Sequence, residues 1–284
     1  MVQHEFNHRV VEEVAHRPWP MPGTPWIMTQ SWCDLLFAHW RVDPARLAAR
    51  IPPPLQLDLF EGEAWITVVP FRMEHVSPRG VPSLPWISAF PELNVRTYVR
   101  VGNKPGVFFF SLDATNPLAV RVARTVFRLP YYQASIDVQL DRAGNPDRDR
   151  DGGGDGVARY HSRRTDARSP VASAELIGSY RPIGPVFHAV EGTLEYFLTE
   201  RYCLYTVDRQ SRAYICEIHH PRWPLQIAAA LFEVNTMIDG LGLGLTLNPH
   251  RPEPAGLTGA APPPLLHFAR RQDTVAWRPT RIAG

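Results

Sequence analysis

The sequence predicts a mainly β fold with a few helices, arranged as one closed or nearly closed β-barrel. About ten segments show the alternating or continuous apolar patterns that are typical of strands, and short turns separate most of them. Only three segments carry helix-start signals, and no internal repeat or clear linker divides the 284 residues. Barrels of this length often form one domain. We therefore expect a single domain over residues 26–284, preceded by a loose arm over residues 1–25.

The composition is that of a globular protein, and it argues against several classes of partner. Hydrophobic residues make up 44% and charged residues 20% of the chain, and the formal net charge is only +2. This balance gives no electrostatic basis for binding nucleic acid or an anionic membrane surface. No apolar run approaches the roughly 18 residues that a membrane-spanning helix needs. The N-terminus lacks the apolar core of a signal peptide. The three cysteines form no disulfide framework, so we expect a cytoplasmic protein; a homo-oligomer is compatible with these features.

Strand signals follow one another along most of the chain. The predicted strands are, in order, residues 35–42, 55–60, 64–73, 90–101, 107–112, 134–140, 157–164, 174–180, 213–219, 226–235 and 266–278. The segment VFFFSL at 107–112 is almost wholly apolar, which suits a strand that is buried on both faces. Residues 102–106 have the composition of a turn.

Three helices begin at recognisable caps. Asp43 and Asn116 each precede a proline, and a capping residue followed by proline is a typical helix start. Thr193 caps the third predicted helix. The helix after Asn116 carries apolar residues at helical spacing, and Pro130 ends it.

Residues 141–156 are charged and glycine-rich, so we expect them to form a mobile loop between two strands. The loop contains the opening of a calcium-binding pattern at Asp147, Asp149 and Asp151. Ala158 stands where this pattern needs a bidentate acid, so a solvated loop is the favoured interpretation.

A polar stripe on the predicted strand at 90–101 is the first candidate site. Glu92, Asn94 and Arg96 are two residues apart, so their side chains share one face of the strand. If that face lies inside the barrel, burial raises the pKa of Glu92 and makes it a usable general acid or base. If the face lies outside, the stripe is simply solvated.

The segment EIHHPRWP, which begins at Glu217, is the second candidate site. Two imidazoles and a carboxylate could bind zinc or transfer a proton. However, the adjacent His219 and His220 point to opposite faces of a strand, so both cannot ligate one metal from regular geometry. We favour pocket lining or packing, with His219 and Trp223 as substrate contacts and with no metal or other cofactor.

Several segments together resemble a YqjF-like bacterial family of unknown function. They include DLLFAHWRVDPARLAARIPPPLQLD from residue 34, PELNVRTYVR from residue 91, EIHHPRWPLQ from residue 217 and PLLHFARR from residue 264. The resemblance covers nearly the whole chain from Trp26. That family is similar in fold to acetoacetate decarboxylase. The resemblance therefore implies an acetoacetate decarboxylase-like β-barrel that encloses an apolar pocket.

The same resemblance implies where the pocket residues lie. Glu92 falls where the decarboxylases carry a pocket glutamate, and residues 129–132 (LPYY) fall where they carry an aromatic-Pro-Lys-Lys sequence. Tyr131 and Tyr132 therefore stand in place of both lysines, and tyrosine cannot form the Schiff base. Lys104, the only lysine of the chain, lies in a predicted turn. The resemblance thus implies the pocket but not the decarboxylase reaction.

Two functions stay open at this point. The first is an enzyme of the lyase, hydratase or isomerase type, acting on a small organic acid or carbonyl compound without a Schiff base. Glu92 would be its general acid or base, Tyr131 or Tyr132 would donate to a developing oxyanion, and Arg96 would bind a carboxylate. The second is a non-catalytic small-molecule binding or sensing protein. A buried Glu92 that is not paired with Arg96 would favour the enzyme.

Overall fold

A computed structural model describes residues 10–81, 88–141, 156–169, 174–208, 210–248 and 262–282. Within these ranges the fold is mainly β, as predicted, with thirteen strands, three short α-helices and a helical segment at residues 10–12. The predicted mobile loop, including the calcium-binding pattern, lies outside the described residues except for its two ends. No helix in the described ranges is long and apolar enough to cross a bilayer.

The strands are β1 Met28–Val42, β2 Gln56–Leu57, β3 Ala64–Pro78, β4 Phe90–Val101, β5 Lys104–Ala114, β6 Tyr131–Asp141, β7 Val157–Arg164, β8 Glu175–Pro182, β9 Cys203–Val207, β10 Ala213–His219, β11 Leu225–Asn235, β12 Leu265–Ala276 and β13 Thr280–Arg281. The helices are α1 Pro44–Ala48, α2 Pro117–Val122 and α3 Leu194–Thr199. A π-helical turn at Ala123–Phe127 continues α2, and a 3₁₀ turn lies at Asp239–Leu241.

All three predicted caps form the expected hydrogen bonds. The Asp43 carboxylate accepts from the Arg46 backbone N–H at 2.9 Å. The Asn116 side-chain oxygen accepts from the first N–H groups of α2, and the Thr193 hydroxyl accepts from the Tyr196 N–H. Each bond satisfies a donor that the first helical turn leaves free.

The strand pairings close on themselves. One circuit runs through β1, β3, β4, β5, β9, β10 and β12 and returns to β1. A second circuit leaves β5 through β6, β7, β8 and β11 and also reaches β12. Both pairings on the β6 and β9 side of β5 are parallel, whereas the others are antiparallel.

The strand β5 is where the two circuits separate. Its outer edge pairs with β9 at Val107 and Phe108 and with β6 from Leu112 to Ala114. Between these points no described strand pairs with this edge, and the chain that enters β6 crosses the gap. Its Pro130 carbonyl accepts from the Leu112 N–H at 3.1 Å. This division creates a recess in the sheet.

The strand β4 is buried on both faces and separates two apolar cores. Leu93 and Val95 belong to one core, whereas Phe71, Phe109 and Tyr131 belong to the other. The polar stripe shares the face that points to the second core. The three polar side chains of the stripe are therefore buried next to this second core.

Two differences from the sequence prediction affect the candidate sites. The short strand β9 was not predicted, because five residues around a cysteine give a weak pattern. The described part of the expected loose arm, residues 10–25, packs against β10 and β12. Arg17 forms a 2.5 Å ion pair with Glu217 and donates to the Ile218 carbonyl at 2.6 Å. Val10 packs with Val275 and Trp277. This part of the arm is therefore held by a buried charge and apolar contacts.

Candidate functional site

A cavity of about 280 Å³ lies between β1, β3, β4, β5 and the helix α2. Most of its lining is apolar, with the aromatic side chains of Trp32, Phe71, Phe109, Phe127 and Trp223 among its walls. The indole rings of Trp32 and Trp223 stack with centroids 5.6 Å apart. The cavity is large enough for a small organic molecule, so its few polar groups decide what it can hold.

The polar stripe of β4 points into this cavity. Glu92 is 1% exposed, Asn94 is 8% exposed and Arg96 is 9% exposed, and all three line the cavity. The alternative in which the stripe is solvated on the outside of the sheet is therefore wrong. Burial of three such groups is costly unless their polar atoms are satisfied by hydrogen bonds or charges.

Glu92 is held by hydrogen bonds rather than by an opposite charge. The Tyr131 hydroxyl donates to its Oε2 at 2.9 Å, and the Asn94 side chain bonds to the same carboxyl group. The Tyr160 hydroxyl donates to the Glu92 backbone carbonyl at 2.7 Å and fixes the strand at this residue. Burial raises the pKa of Glu92 to about 8, although the bonds from Tyr131 and Asn94 oppose that rise. The group is therefore poised to exchange a proton near neutral pH.

Arg96 lies on the same face but forms no ion pair with a described carboxylate. Its Nη2 donates to the Leu198 carbonyl at 3.2 Å, and its guanidinium lies 5.0 Å from the centroid of the Phe37 ring. The Nε atom has no partner among the described residues. Burial lowers the pKa of Arg96, which reflects the free-energy cost of its desolvated charge. An anionic group of a ligand would offset that cost.

The two tyrosines of the LPYY segment lie on opposite faces of β6. Tyr131 is opposite Leu112 in the parallel register and faces the cavity. Tyr132 is opposite Asp113, does not line the cavity, and lies between the guanidinium groups of Arg124 and Arg164. Because neighbouring strand residues alternate, one of the two candidates is excluded from direct contact with a ligand in the cavity. The prediction of Tyr132 as a catalytic donor is corrected accordingly.

Trp223 and His219 are also separated by the fold. Trp223 lines the cavity, and its indole Nε1 has no partner in the described part of the chain. His219 faces away from the cavity and stacks on His16 at a centroid distance of 5.5 Å. Burial, followed by its neighbours His220 and Arg17, lowers the pKa of His219 to about 3, so the imidazole is neutral. The predicted substrate contact from His219 is therefore replaced by packing beneath the N-terminal residues.

The histidine-rich segment does not gather metal ligands within the described ranges. No group of three or more His, Cys, Asp or Glu side chains there has the spacing to hold a metal ion. His220 bonds instead to backbone carbonyls of Pro221 and Arg201 and to the Gln272 side chain. Lys104 does not line the cavity either. Its ammonium group pairs with Glu217 at 2.5 Å.

Three parts of the cavity wall were missed by sequence reasoning. Gln30 and Trp32 come from the first half of β1, which begins seven residues before the predicted strand. Their alternation with Met28 was a usable signal. It breaks at Asp34, whose left-handed φ of 48° shifts the inward face. Cys216 from β10 also lines the cavity, and burial raises the pKa of its thiol. Phe127 also lines the cavity and lies within the predicted helix, but the π-helical geometry of its turn has no recognisable sequence signal.

Comparison with protein families and known proteins gives one family and one close relative. The DUF2071 family, described as an uncharacterized conserved protein, matches residues 29–273. The uncharacterized protein YqjF of Bacillus subtilis (strain 168) is 42% identical over 257 residues, which cover 90% of this chain and 93% of that protein. Both matches include the polar stripe and the LPYY segment within their extent.

Solved structures give the fold. An acetoacetate decarboxylase-like enzyme from Sphingomonas wittichii RW1 is 14% identical with a TM-score of 0.55, over 95% of this chain and 98% of that chain. The enduracididine biosynthesis enzyme MppR, complexed with pyruvate, is 11% identical with a TM-score of 0.54, over 94% and 93% of the two chains. At these identities the likeness establishes the fold alone. The fold is acetoacetate decarboxylase-like, in agreement with the sequence prediction.

Proposed function

This chain belongs to the DUF2071 family, and we propose that it is an enzyme of the lyase, hydratase or isomerase type. Its substrate would be a small organic acid or carbonyl compound, and the reaction would not pass through a Schiff base. One observation carries the proposal. Glu92 is buried in a hollow apolar cavity, is not neutralised by Arg96, and has a pKa raised to about 8. A titratable group that is displaced in this way at a cavity is a candidate acid or base.

Glu92 would move the proton. With a pKa of about 8, the protonated form predominates about tenfold at pH 7, so the carboxylic acid can donate to a carbonyl oxygen or to an enolate carbon. The carboxylate formed is then stabilised by the hydrogen bond from Tyr131. Burial also raises the pKa of Tyr131 well above its usual value, so its hydroxyl stays a donor. Tyr131 is thereby a positioning group for the proton carrier.

Arg96 would bind the substrate's carboxylate. It lies two residues beyond Asn94 on the same face, and its unpartnered Nε points to an incomplete set of hydrogen bonds. A carboxylate is the ligand group that a planar guanidinium binds in a bidentate way. The choice of a small keto acid as the model substrate is supported by the fold relative that is described as complexed with pyruvate. The transfer of that ligand class to this chain is part of the proposal.

Non-catalytic binding of a small molecule is the second candidate. It is favoured by Tyr131 at the place that resembles the lysine site of the decarboxylases, with no lysine on the cavity. Binding and catalysis differ in one measurable property. An enzyme in which Glu92 transfers a proton at the carbon next to the carbonyl exchanges that proton with solvent, whereas a sensor only holds the ligand.

The experiment is a ligand screen followed by an exchange assay. Small keto acids and neutral ketones are screened for a rise in melting temperature, because a ligand that binds the folded state stabilises it. Compounds that bind are incubated in D₂O, and NMR follows deuterium uptake next to the carbonyl. We expect uptake with the wild type and a loss of about a hundredfold or more in Glu92→Gln. Binding without uptake would instead select the sensing protein, and full uptake by Glu92→Gln would exclude Glu92 as the acid or base.

A further inference from the structure

A second recess lies on the other side of the cavity wall. It has a volume of about 830 Å³ and occupies the gap where β6 and β9 separate from β5. Phe109, Leu129 and Tyr131 line both the cavity and this recess. The two spaces therefore share a wall but differ in their polar groups, and the recess takes no part in the function proposed above.

The recess concentrates positive charge. Its lining contains four arginines, which are Arg50, Arg124, Arg128 and Arg168. One carboxylate, Asp208, also lines it, but Asp208 is shared with a fifth arginine, Arg212, at 2.7 Å. The other nearby carboxylate is Asp166, which pairs with Arg124 and Arg168. The four lining arginines and Arg212 beside them thus stand against two carboxylates, Asp208 in the lining and Asp166 next to it, in a chain whose whole net charge is +2. We call this recess the arginine cleft.

Two of the arginines are held in place before any ligand arrives. Arg124 donates from Nε to the Tyr131 carbonyl at 2.6 Å and from Nη2 to Asp166 at 2.7 Å. Arg168 donates from both Nε and Nη2 to the same Asp166 carboxylate. Bonds from Arg168 and other donors hold the pKa of Asp166 well below its usual range, so the carboxylate stays charged. Fixed donors lose less conformational entropy on binding an anion.

The other two arginines are less constrained. Arg50 is exposed and forms no ion pair with a described residue. Arg128 approaches Asp208 only to 3.9 Å, and its guanidinium lies 4.6 Å from the centroid of the Tyr214 ring. Arg128 also has a left-handed φ of 57°, which ends the π-helical turn at the edge of the cleft. These two side chains therefore form fewer ionic contacts than Arg124 and Arg168 do.

Aromatic rings lie beside the arginines. Phe108 and Phe110 are partly exposed in the cleft and contact each other edge to face, with centroids 5.4 Å apart. Tyr132, which the fold removes from the cavity, also lines the cleft. Exposed ring faces next to guanidinium groups suit a ligand that has both a planar ring and negative charge.

We propose that the arginine cleft binds an organic phosphate that carries a planar ring. The arginines in and beside the cleft outnumber the carboxylates by three. This excess of positive charge matches a pyrophosphate group better than a single carboxylate. Arginine binds phosphate oxygens through two parallel N–H bonds. The rings of Phe108 and Phe110 supply a contact for the planar part of the ligand. Because the cleft and the cavity are separate spaces, the proposal holds whether or not the cavity is catalytic.

The test is a calorimetric titration of the whole protein at low salt, with pyrophosphate and ADP as probes. We expect both to bind, and ADP to bind more tightly because its ring adds contacts. Arg50→Gln and Arg128→Asn should each weaken both probes by about tenfold, the loss of one charge-assisted bond. Asn is chosen at 128 because it tolerates the left-handed backbone. Arg46→Gln is the matched control. Arg46 is exposed on α1, two residues before the end of the helix that precedes Arg50, but it does not line the cleft.

A second variant separates the ring from the charge. Phe108→Leu should weaken ADP but leave pyrophosphate within about twofold, since pyrophosphate has no ring to contact Phe108. The proposal is overturned if neither probe gives saturable binding, or if Arg46→Gln weakens binding as much as the cleft variants. Equal loss of both probes in Phe108→Leu would overturn the assignment of a ring-bearing ligand. Arg50→Gln alone keeps the test valid if another variant does not fold, because Arg50 is exposed and unpaired in the described structure.

Discussion

The Tyr131 hydroxyl donates a 2.9 Å hydrogen bond to Oε2 of Glu92, and this bond joins the first residue of β6 to the polar stripe of β4. It satisfies one oxygen of a carboxyl group that has no described cationic partner. The bond also opposes the rise in the pKa of Glu92 that burial causes. Removing either residue should therefore change both stability and proton binding.

The stability of the fold should depend on pH through Glu92. Its folded pKa of about 8 lies above the ordinary value of 4.5, so the folded state binds the extra proton between these values. This contribution is fully present below pH 4.5 and is lost as the pH rises through 8. Between pH 5 and pH 9 the wild type should lose on the order of 4 kcal/mol more than Glu92→Gln.

Urea unfolding of both proteins at pH 5, 7 and 9 measures this difference. Burial also raises the pKa of Asp113, to about 6. That residue is present in both proteins, so the part of its contribution that comes from its own burial cancels, and only its charge coupling to Glu92 differs between them. Parallel pH curves for the wild type and Glu92→Gln would contradict a raised pKa at Glu92.

Tyr131→Phe should destabilise the protein and push the pKa of Glu92 further upward. The variant removes the donor to a buried carboxyl, which costs about 1–3 kcal/mol. Tyr132→Phe is the matched control, because the Tyr132 ring contacts with Arg124 and Arg164 do not need the hydroxyl. The measurement is the free energy of unfolding of each variant as a function of pH, which gives both the loss of stability and the folded-state pKa of Glu92. An equal effect of the two substitutions would show that the assignment of Tyr131 to the site is mistaken.

Arg96→Met should leave the ligand-free protein at least as stable as the wild type. The buried guanidinium has no described ion-pair partner, and replacing an uncompensated charge by an apolar side chain removes its desolvation cost. The same variant should weaken a carboxylate ligand by about tenfold to a hundredfold, while a neutral ketone still binds. Thermal shifts with matched acid and ketone pairs give both readings. Unchanged affinity for the acid would exclude Arg96 as the carboxylate site.

No covalent adduct should form on Lys104 when the protein is treated with pyruvate and borohydride. Lys104 pairs with Glu217 and does not line the cavity. Mass spectrometry of the digested protein checks the outcome, and Lys104→Arg should keep whatever turnover the wild type shows. A reduced adduct at Lys104 would mean that an amine reaches the ligand and that the proposed chemistry is incorrect.

Local sequence patterns alone determine several strand bounds, the helix caps and the shared face of the polar stripe. Strand β4, for example, has its predicted bounds, Phe90–Val101, and residues with the composition of a turn follow it. The three helix caps form for an equally local reason, since the capping side-chain oxygen and the backbone N–H that donates to it lie within three residues of each other. The spacing of Glu92, Asn94 and Arg96 likewise placed them on one face.

Which face is buried, and what lies across from it, was decided only by the tertiary structure. The stripe is a catalytic candidate because β5, β6 and α2 enclose it, and strand pairing and packing, not the spacing of the stripe itself, bring those segments there. Tyr131 and Tyr132 are neighbours whose roles differ because the parallel register with β5 directs one into the cavity and the other into the arginine cleft. The packing of Arg17 on Glu217 is a contact across 200 residues. The periodicity of a sequence shows which residues share a face of a strand, but not which face is buried. The free energy gained by burying apolar surface decides that in the folded protein.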